Sequence, residues 1–243
     1  IAAAAPIYAI LEATLRMGVA MMGRAVAGVA VGLVVAGALA APASATDWVK
    51  AFPSGSDISA SLGTYASTPI VDSGKAPKGG WYPCAAFTVP SSRTVVSAEY
   101  PTTTKIQQDV QARAYIYGTA AAAKSAFQRL QSKASTCNGK RDMASGESGP
   151  KTMRVTTTTG KLNSLVNTGL ASVFVYARTA PLPGAANAAQ NSGADYTVYT
   201  LANDTILMTT ANETGTVGYT VAQRKAVVDF ASDVAHSWGM ANS

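Results

Sequence analysis

Apolar and polar residues alternate with a period of two in several parts of this chain. The clearest run is Ile106–Tyr117, in which Val110, Ala112 and Ala114 alternate with polar or aromatic residues. Because a half-buried strand points successive side chains to opposite faces, this run predicts a strand. The same criterion, with β-prone composition, predicts further strands at 95–100, 152–159, 162–166 and 171–178. Residues 196–201 and 205–210 predict a hairpin closed by a tight turn at Asn203 and Asp204.

Three segments have the pattern of helices. A short one is predicted at 57–62, after a capping Ser56 and before Gly63. A longer one runs from Ala120, capped by Thr119, to about Ser135, and the last runs from Thr220 to about Trp238 with an apolar stripe at helical spacing. Strands joined by short polar loops favour antiparallel pairing. The predicted fold class is therefore α+β, a twisted antiparallel β-sheet with helices packed on one face.

The first 45 residues have the features of a targeting segment. Arg24 precedes an uncharged apolar run, Ala25–Ala41, and Ala43-Ser44-Ala45 then supplies the small residues that a signal peptidase requires. The run is shorter than the roughly 20 residues that span a bilayer, so cleavage is favoured over a membrane anchor and no stable membrane span is expected afterwards. Residues before Met17, Met21 or Met22 would be upstream sequence. Residues 46–243 are then expected to form a single exported domain, secreted or retained in the cell envelope.

The chain contains two cysteines, Cys84 and Cys137, both after the predicted cleavage site. An even count in an exported protein favours a disulfide, and with two cysteines only one intramolecular pairing exists. A pair of free thiols is the alternative. Cys137 continues the apolar stripe of the predicted helix that starts at Ala120, so the disulfide would attach an irregular aromatic-rich stretch to that helix.

The segment from Tyr115 to Leu130, continuing to Cys137-Asn138-Gly139, resembles part of the extracellular sensor domain of mycobacterial PknH-type serine/threonine kinases. In that family a strand leads into an Ala-rich helix that ends at a Cys followed by Gly. The late hairpin and the helix 221–238 also match, as does an earlier Cys near an aromatic residue, here Cys84 and Phe87. The resemblance implies an extracytoplasmic sensor-like domain with a groove for an undefined ligand. Those domains often carry two disulfides, whereas this chain can form one.

Catalytic and metal-binding patterns are sparse, so no catalytic, metal-binding or cofactor-binding residue is predicted. His236 is the single histidine and would act as a base only if the fold brought a nucleophile to it. Asp229 and Asp233 share a helix face and are more typical of a solvated surface than of a glycosidase pair. One histidine and two cysteines expected in a disulfide do not make a usual zinc site.

The most informative polar pattern lies on the strand faces opposite the small aliphatic residues. Aromatic and basic side chains alternate there, and stacking with ion pairing would suit sugars, lipid headgroups or polymer phosphates. A solvated face on which tyrosine simply favours strands is the alternative. The predicted ligand-binding residues, expected to share one face of the sheet, are Arg113, Tyr115, Tyr117, Phe174, Tyr176, Arg178 and Tyr199.

These observations favour a non-catalytic, ligand-binding or sensor-like protein outside the cytoplasm. Its expected partner is an envelope small molecule, a lipid or an anionic polymer, because the chain carries a formal net charge of +6. A nucleic-acid partner is not expected of an exported protein. The alternatives are a small secreted hydrolase and a structural or adhesion protein of the cell envelope.

Overall fold

A computed structural model describes residues 48–74, 92, 94–103, 108–144, 151–162, 165, 168–185, 192–216 and 218–242. The predicted signal peptide and Cys84 lie outside these residues. Cleavage after Ala45, the domain limits 46–243 and the Cys84–Cys137 pairing therefore stay predictions. Within the described residues, no helix has the length and apolar character needed to cross a membrane.

Among the described residues, eight antiparallel strands form one sheet in the order β1-β2-β3-β8-β7-β6-β5-β4. Every neighbouring pair is antiparallel, and β7 and β8 form the predicted hairpin, with Asn203 at a positive φ of 52° in its turn. The prediction of an α+β fold with an antiparallel sheet is confirmed. The strands are β1 Ile70–Gly74, β2 Thr94–Tyr100, β3 Gln108–Ile116, β4 Gly139–Ala144, β5 Lys151–Leu162, β6 Ser172–Pro181, β7 Gly193–Ala202 and β8 Thr205–Thr214.

In the part of the chain that the structure describes, two long α-helices pack on this sheet, and both begin where their capping residues predict. Helix α1 spans Ala120–Ala134, and the Thr119 hydroxyl accepts a hydrogen bond from the Ala122 N–H at 3.1 Å. Helix α2 spans Val221–Ala241 and starts with a capping box between Thr220 and Gln223. Such caps satisfy backbone N–H groups that have no partner inside the helix, and each contributes about 1 kcal/mol.

The helices lie on opposite faces of the sheet, so the predicted placement of helices on one face is wrong. Helix α1 packs over one face through Phe127 and Leu130, in a cluster with Tyr199 and Ile206. Helix α2 packs over the other face through Val227, Phe230 and Val234. The physical reason is that strands β3, β6, β7 and β8 bury side chains on both of their faces, and each face requires its own cover.

The segment before β1 completes the layer around α2. Trp48 stacks on Trp238 with ring centroids 5.5 Å apart and planes 4° apart, and Phe52 lies tilted against the same indole. Leu62 is fully buried in the same cluster. The predicted helix 57–62 is instead two 3-10 turns, Gly55–Asp57 and Ala60–Leu62, capped by Ser54 and Ser59. Each serine accepts a backbone N–H two residues ahead, which favours separate short turns.

Candidate functional site

The sheet register separates the seven predicted ligand-binding residues into two groups. On β3, Arg113 and Tyr115 lie opposite Met208 and Ile206 of β8, and this places them on the α1 face with Tyr117 and Tyr199. Phe174 and Tyr176 lie on the α2 face, where Tyr176 is directly opposite Tyr196. Arg178 falls on the same side as Tyr176 because it is two residues further along β6. The prediction that all seven residues share one face is wrong.

The α1-face tyrosines belong to the core beneath the helix. Tyr115, Tyr117 and Tyr199 are all buried, and the Tyr115 hydroxyl contacts the Met208 sulfur at 3.8 Å. Burial raises the pKa of Tyr117 to about 12, with the neighbouring Tyr115 adding to the effect. A ligand would have to displace α1 to stack on these rings, so we assign them a packing role.

Arg113 is half-buried at the edge of the same cluster. Its Nη2 donates to the Gln111 side-chain oxygen at 3.1 Å, while its buried Nε has no hydrogen-bond partner. Burial raises the pKa of the Tyr199 phenol, and the nearby positive charge of Arg113 opposes this increase. Arg113 therefore acts within the packed α1 face and not on an accessible surface.

The α2-face residues have a different environment because α2 packs mainly on β7 and β8. Phe174 on β6 is half-buried and stacks on Tyr196, with centroids 5.5 Å apart and planes 5° apart. Arg178 is exposed. The even-numbered side of β5 is also accessible, since Arg154 and Thr158 are exposed there while the odd-numbered side is largely buried. The sheet is therefore open to solvent on this side beyond α2.

Tyr176 fixes the border between this open region and α2. Its hydroxyl accepts a hydrogen bond from the Tyr219 N–H at 2.8 Å and donates to the Tyr219 carbonyl at 3.5 Å. The Arg224 guanidinium carbon lies 5.3 Å from the centroid of the Tyr176 ring, and its Nη1 donates to the same carbonyl at 3.4 Å. Tyr176 is thus a buried anchor for the segment that leads into α2, while Arg224 adds a cation at the border.

The strand register brings basic and hydroxyl side chains into one surface. Lys140 of β4, Thr156 of β5 and Arg178 of β6 are consecutive partners in a row across the three strands. Arg154 and Asp142 form the next row and are joined by two hydrogen bonds of 2.7 and 3.0 Å, which lower the pKa of Asp142. We call this surface the open basic face and define it by Lys140, Arg154, Thr156, Thr158, Phe174 and Arg178.

Sequence reasoning found two of these six residues, Phe174 and Arg178. It missed Lys140 because residues 138–150 have the composition of a polar loop, although 139–144 form the edge strand β4. An edge strand exposed on both faces need not alternate, so its composition carries no period-two signal. Strand β1 was missed for the same reason, since four of its five residues are exposed.

A separate surface cleft of about 440 Å³ lies where α2 meets the first 3-10 turn. It is lined by Pro53, Asp57, Asp233, His236 and Ser237. Asp57 accepts the Ser54 N–H at 3.0 Å as part of the turn cap. Burial is the largest cause of a raised pKa at Asp233. The nearby carboxylates of Asp57 and Asp229 raise it further, and His236 opposes the increase. The cleft therefore brings two carboxyl groups and an imidazole to one place.

The described residues of the cleft do not form a hydrogen-bonded serine–histidine pair. Ser237 and His236 are adjacent on α2, and no hydrogen bond joins their side chains among the described residues. A serine nucleophile requires such a bond to its base. In the same part of the chain, no group of three or more His, Cys, Asp or Glu side chains is arranged to hold a metal ion.

Cys137 ends the 3-10 turn Ser135–Cys137 that follows α1, and it is buried in the cluster beneath that helix. This agrees with the predicted position on the core side. Cys137, the cysteine within the described residues, is not free.

Comparison with known proteins identifies the fold but not a family. No protein-family model matches the chain, and no curated protein matches it by sequence. Among solved structures, it is similar to the crystal structure of the extracellular domain of PknH from Mycobacterium tuberculosis, with a TM-score of 0.51 and 14% sequence identity. The match covers 81% of this chain and 98% of that domain. At this identity the likeness shows a shared fold, in agreement with the fold that the sequence resemblance implied.

Proposed function

We propose that this protein is a non-catalytic, ligand-binding domain of the sensor-like type that acts outside the cytoplasm, and that its ligand binds the open basic face. The observation that carries the proposal is the row Lys140–Thr156–Arg178, with the half-buried ring of Phe174 four residues before Arg178 on the same side of β6. Charged donors, hydroxyl groups and an aromatic ring on one accessible surface are the groups that recognise polar envelope components. Here we propose an envelope small molecule, a lipid headgroup or an anionic polymer as the partner.

Two further observations support the extracytoplasmic part of the proposal. The chain has the fold of an extracellular domain, and its first 45 residues have the pattern of a signal peptide. The non-catalytic part is supported by the cleft, in which Ser237 and His236 share no hydrogen bond. It is also supported by the hydroxyls of Thr156 and Thr158, which lie beside basic side chains and have no general base among their described neighbours.

Two-dimensional NMR of the purified protein tests this proposal. The probes are a neutral N-acetylated oligosaccharide, glycerol phosphate and sodium polyphosphate, added separately. We expect at least one probe to shift amide signals of β4–β6, and we expect the combined variant Phe174→Ala, Arg178→Ala to abolish that shift. The matched control is Phe174→Leu, which keeps an apolar side chain and the Arg178 charge. Shifts confined to other elements, or none with any probe, would refute the proposal.

A hydrolase remains the second candidate because the fold brings Asp57, Asp233 and His236 to one cleft. Two carboxylates and an imidazole near one another are the groups that general acid–base chemistry uses. If the protein hydrolyses aryl esters or aryl glycosides, His236→Ala should lower kcat by at least roughly a hundredfold. The variant Asp229→Asn is the control, since Asp229 is bound to Lys225 outside the cleft lining. Equal turnover in His236→Ala and the parent would remove this candidate.

A further inference from the structure

The sheet separates its ionisable side chains by strand. Strands β4, β5 and β6 carry six basic side chains and one carboxylate, whereas the other five strands carry one basic side chain and five carboxylates. The single base outside β4–β6 is Arg113. The basic set is Lys140, Arg141, Lys151, Arg154, Lys161 and Arg178, and the acidic set is Asp72, Glu99, Asp109, Asp195 and Glu213. One end of the sheet therefore has a positive potential, although these residues are scattered along the sequence.

On the open basic face, two of these cations have no carboxylate partner. Lys140 and Arg178 are both exposed and flank Thr156. The ion pairs among the described residues are Arg154–Asp142 and Lys225–Asp229, and neither involves Lys140 or Arg178. Adjacent strands are about 4.8 Å apart, so the Cα atoms of Lys140 and Arg178 are separated by roughly 10 Å. The two cations are thus spaced across an accessible surface and remain available to an external anion.

The surface around the two cations provides donors and little apolar area. The hydroxyls of Thr156 and Thr158 have no hydrogen-bond partner among the described residues. Arg224 extends the positive charge onto α2, where Tyr176 and the Tyr219 carbonyl hold its guanidinium in place. The exposed large apolar side chains of the described residues are Ile70, Val221 and Met240, and none of them lies on β4–β6. A membrane-binding surface would need apolar groups to insert, so this face is better suited to a hydrated anion.

We propose that the open basic face binds an extended, phosphate-bearing polyanion. This inference rests on the proposed function and specifies the class of its ligand. Arginine presents a planar fork of donors that matches phosphate oxygens, and lysine with threonine hydroxyls adds further donors. Lys140 and Arg178 stand in one row, and Arg154 and Arg224 add positive charge on the same side of the sheet, so the cations together span more surface than a single phosphate covers. A polymer contacts several at once, and each added contact strengthens the binding of the chain as a whole.

Binding of fluorescent sodium polyphosphate to the purified protein tests the proposal, measured by anisotropy at about 50 mM and about 200 mM salt. We expect measurable binding that weakens steeply with salt. The variant Lys140→Ala, Arg178→Ala should bind at least roughly tenfold more weakly and depend less on salt, because fewer counterions are released. The control is Lys124→Ala, Lys133→Ala, which removes two exposed charges from α1. We expect the control to stay within about twofold of the parent, since those lysines belong to α1, on the face of the sheet opposite the open basic face.

Three outcomes would overturn the proposal. The first is no binding of polyphosphate at the lower salt concentration, and the second is an equal loss of affinity in the control variant. The third is equal or tighter binding to polyglutamate or to vesicles of phosphatidylglycerol, because the partner would then be a different class of anion. If the neutral oligosaccharide shifts β4–β6 signals while polyphosphate does not bind, this inference fails and the proposed function stands. If no probe shifts those signals, both fail.

Discussion

The hydroxyl of Thr197 donates a 2.9 Å hydrogen bond to the carboxylate of Asp195, two residues earlier on β7. The same hydroxyl lies 2.8 Å from that of Thr210 on β8, which in turn is 3.5 Å from the second carboxylate oxygen. When Asp195 is ionised, the hydroxyl groups of Thr197 and Thr210 are therefore the two proton donors among these three side chains. When Asp195 is protonated, its carboxyl group supplies a third donor. Burial raises the pKa of Asp195 to about 7, and the two threonines only partly oppose this.

Asp195→Asn should therefore stabilise the protein at neutral and alkaline pH. The folded-state pKa of about 7 is above the usual unfolded value of about 3.9, so ionisation disfavours the folded state. This cost is absent below about pH 4, grows as the pH rises towards 7 and is constant above that. Because the residue is only partly buried, solvent screens the charge, and we expect a gain of about 1–2 kcal/mol at pH 8.

Urea unfolding of the parent and of Asp195→Asn between about pH 4 and about pH 8 measures this difference. The matched control, Asp109→Asn, removes the same charge from an exposed position on the neighbouring part of β3. A stability difference that stays constant over the whole pH range would contradict the explanation, because it would not follow the titration of the Asp195 carboxyl group.

The second prediction concerns the Tyr176 hydroxyl, which holds the segment that leads into α2. In Tyr176→Phe, the Tyr219 N–H would lose its 2.8 Å acceptor while the ring stacking and the contact with Arg224 would remain. A buried donor without a partner costs about 1–3 kcal/mol, so the free energy of unfolding should fall by that amount. Tyr196→Phe is a suitable control, since the structure gives the Tyr196 hydroxyl no hydrogen bond among the described residues. Equal losses in the two variants would show that the hydrogen bond between the Tyr176 hydroxyl and the Tyr219 N–H has no special role.

The residues on β6 show what the sequence could and could not predict. Alternation correctly placed Val173 and Val175 on one side of the strand and Phe174 and Tyr176 on the other. Alternation could not predict which side of β6 faces the same way as a given side of β3. That depends on how the intervening strands β7 and β8 pair with β6 and β3. The face that carries Phe174 was therefore joined incorrectly with the face that carries Tyr115.

The open basic face was only partly predictable for a different reason. Lys140, Arg154 and Arg178 are separated by 14 and 24 positions in the sequence, where their charges look evenly spread. Antiparallel pairing of β4, β5 and β6 brings them into neighbouring rows. Capping residues were more reliable, because Thr119 and Thr220 act through backbone groups at most three residues away.

Gly160 controls the position of Phe174, which leads to a third prediction. The two residues are register partners on β5 and β6, and a Cβ atom at Gly160 would lie 2.6 Å from Cε1 of the Phe174 ring. Gly160→Ala should therefore push the ring away from Tyr196 and lower the free energy of unfolding by about 1–3 kcal/mol. Gly74→Ala is the control, since nothing lies within 4 Å of its added Cβ atom. Fluorescence-monitored denaturation that gives equal stabilities for the two variants would contradict this role of Gly160.

The proposed disulfide makes a fourth prediction, centred on the buried end of α1. Cys137 lies in the cluster with Phe127 and Leu130, so a bond to Cys84 would tie a distant stretch of chain to that helix. Peptide mapping of the unreduced protein should yield Cys84 linked to Cys137. Because the bond would close a loop of roughly 53 residues, reduction should lower the free energy of unfolding by up to about 4 kcal/mol. The double variant Cys84→Ser, Cys137→Ser should not respond to reductant. If both thiols of the unreduced, denatured protein react with a thiol reagent, the chain carries no such bond and α1 is held by packing alone.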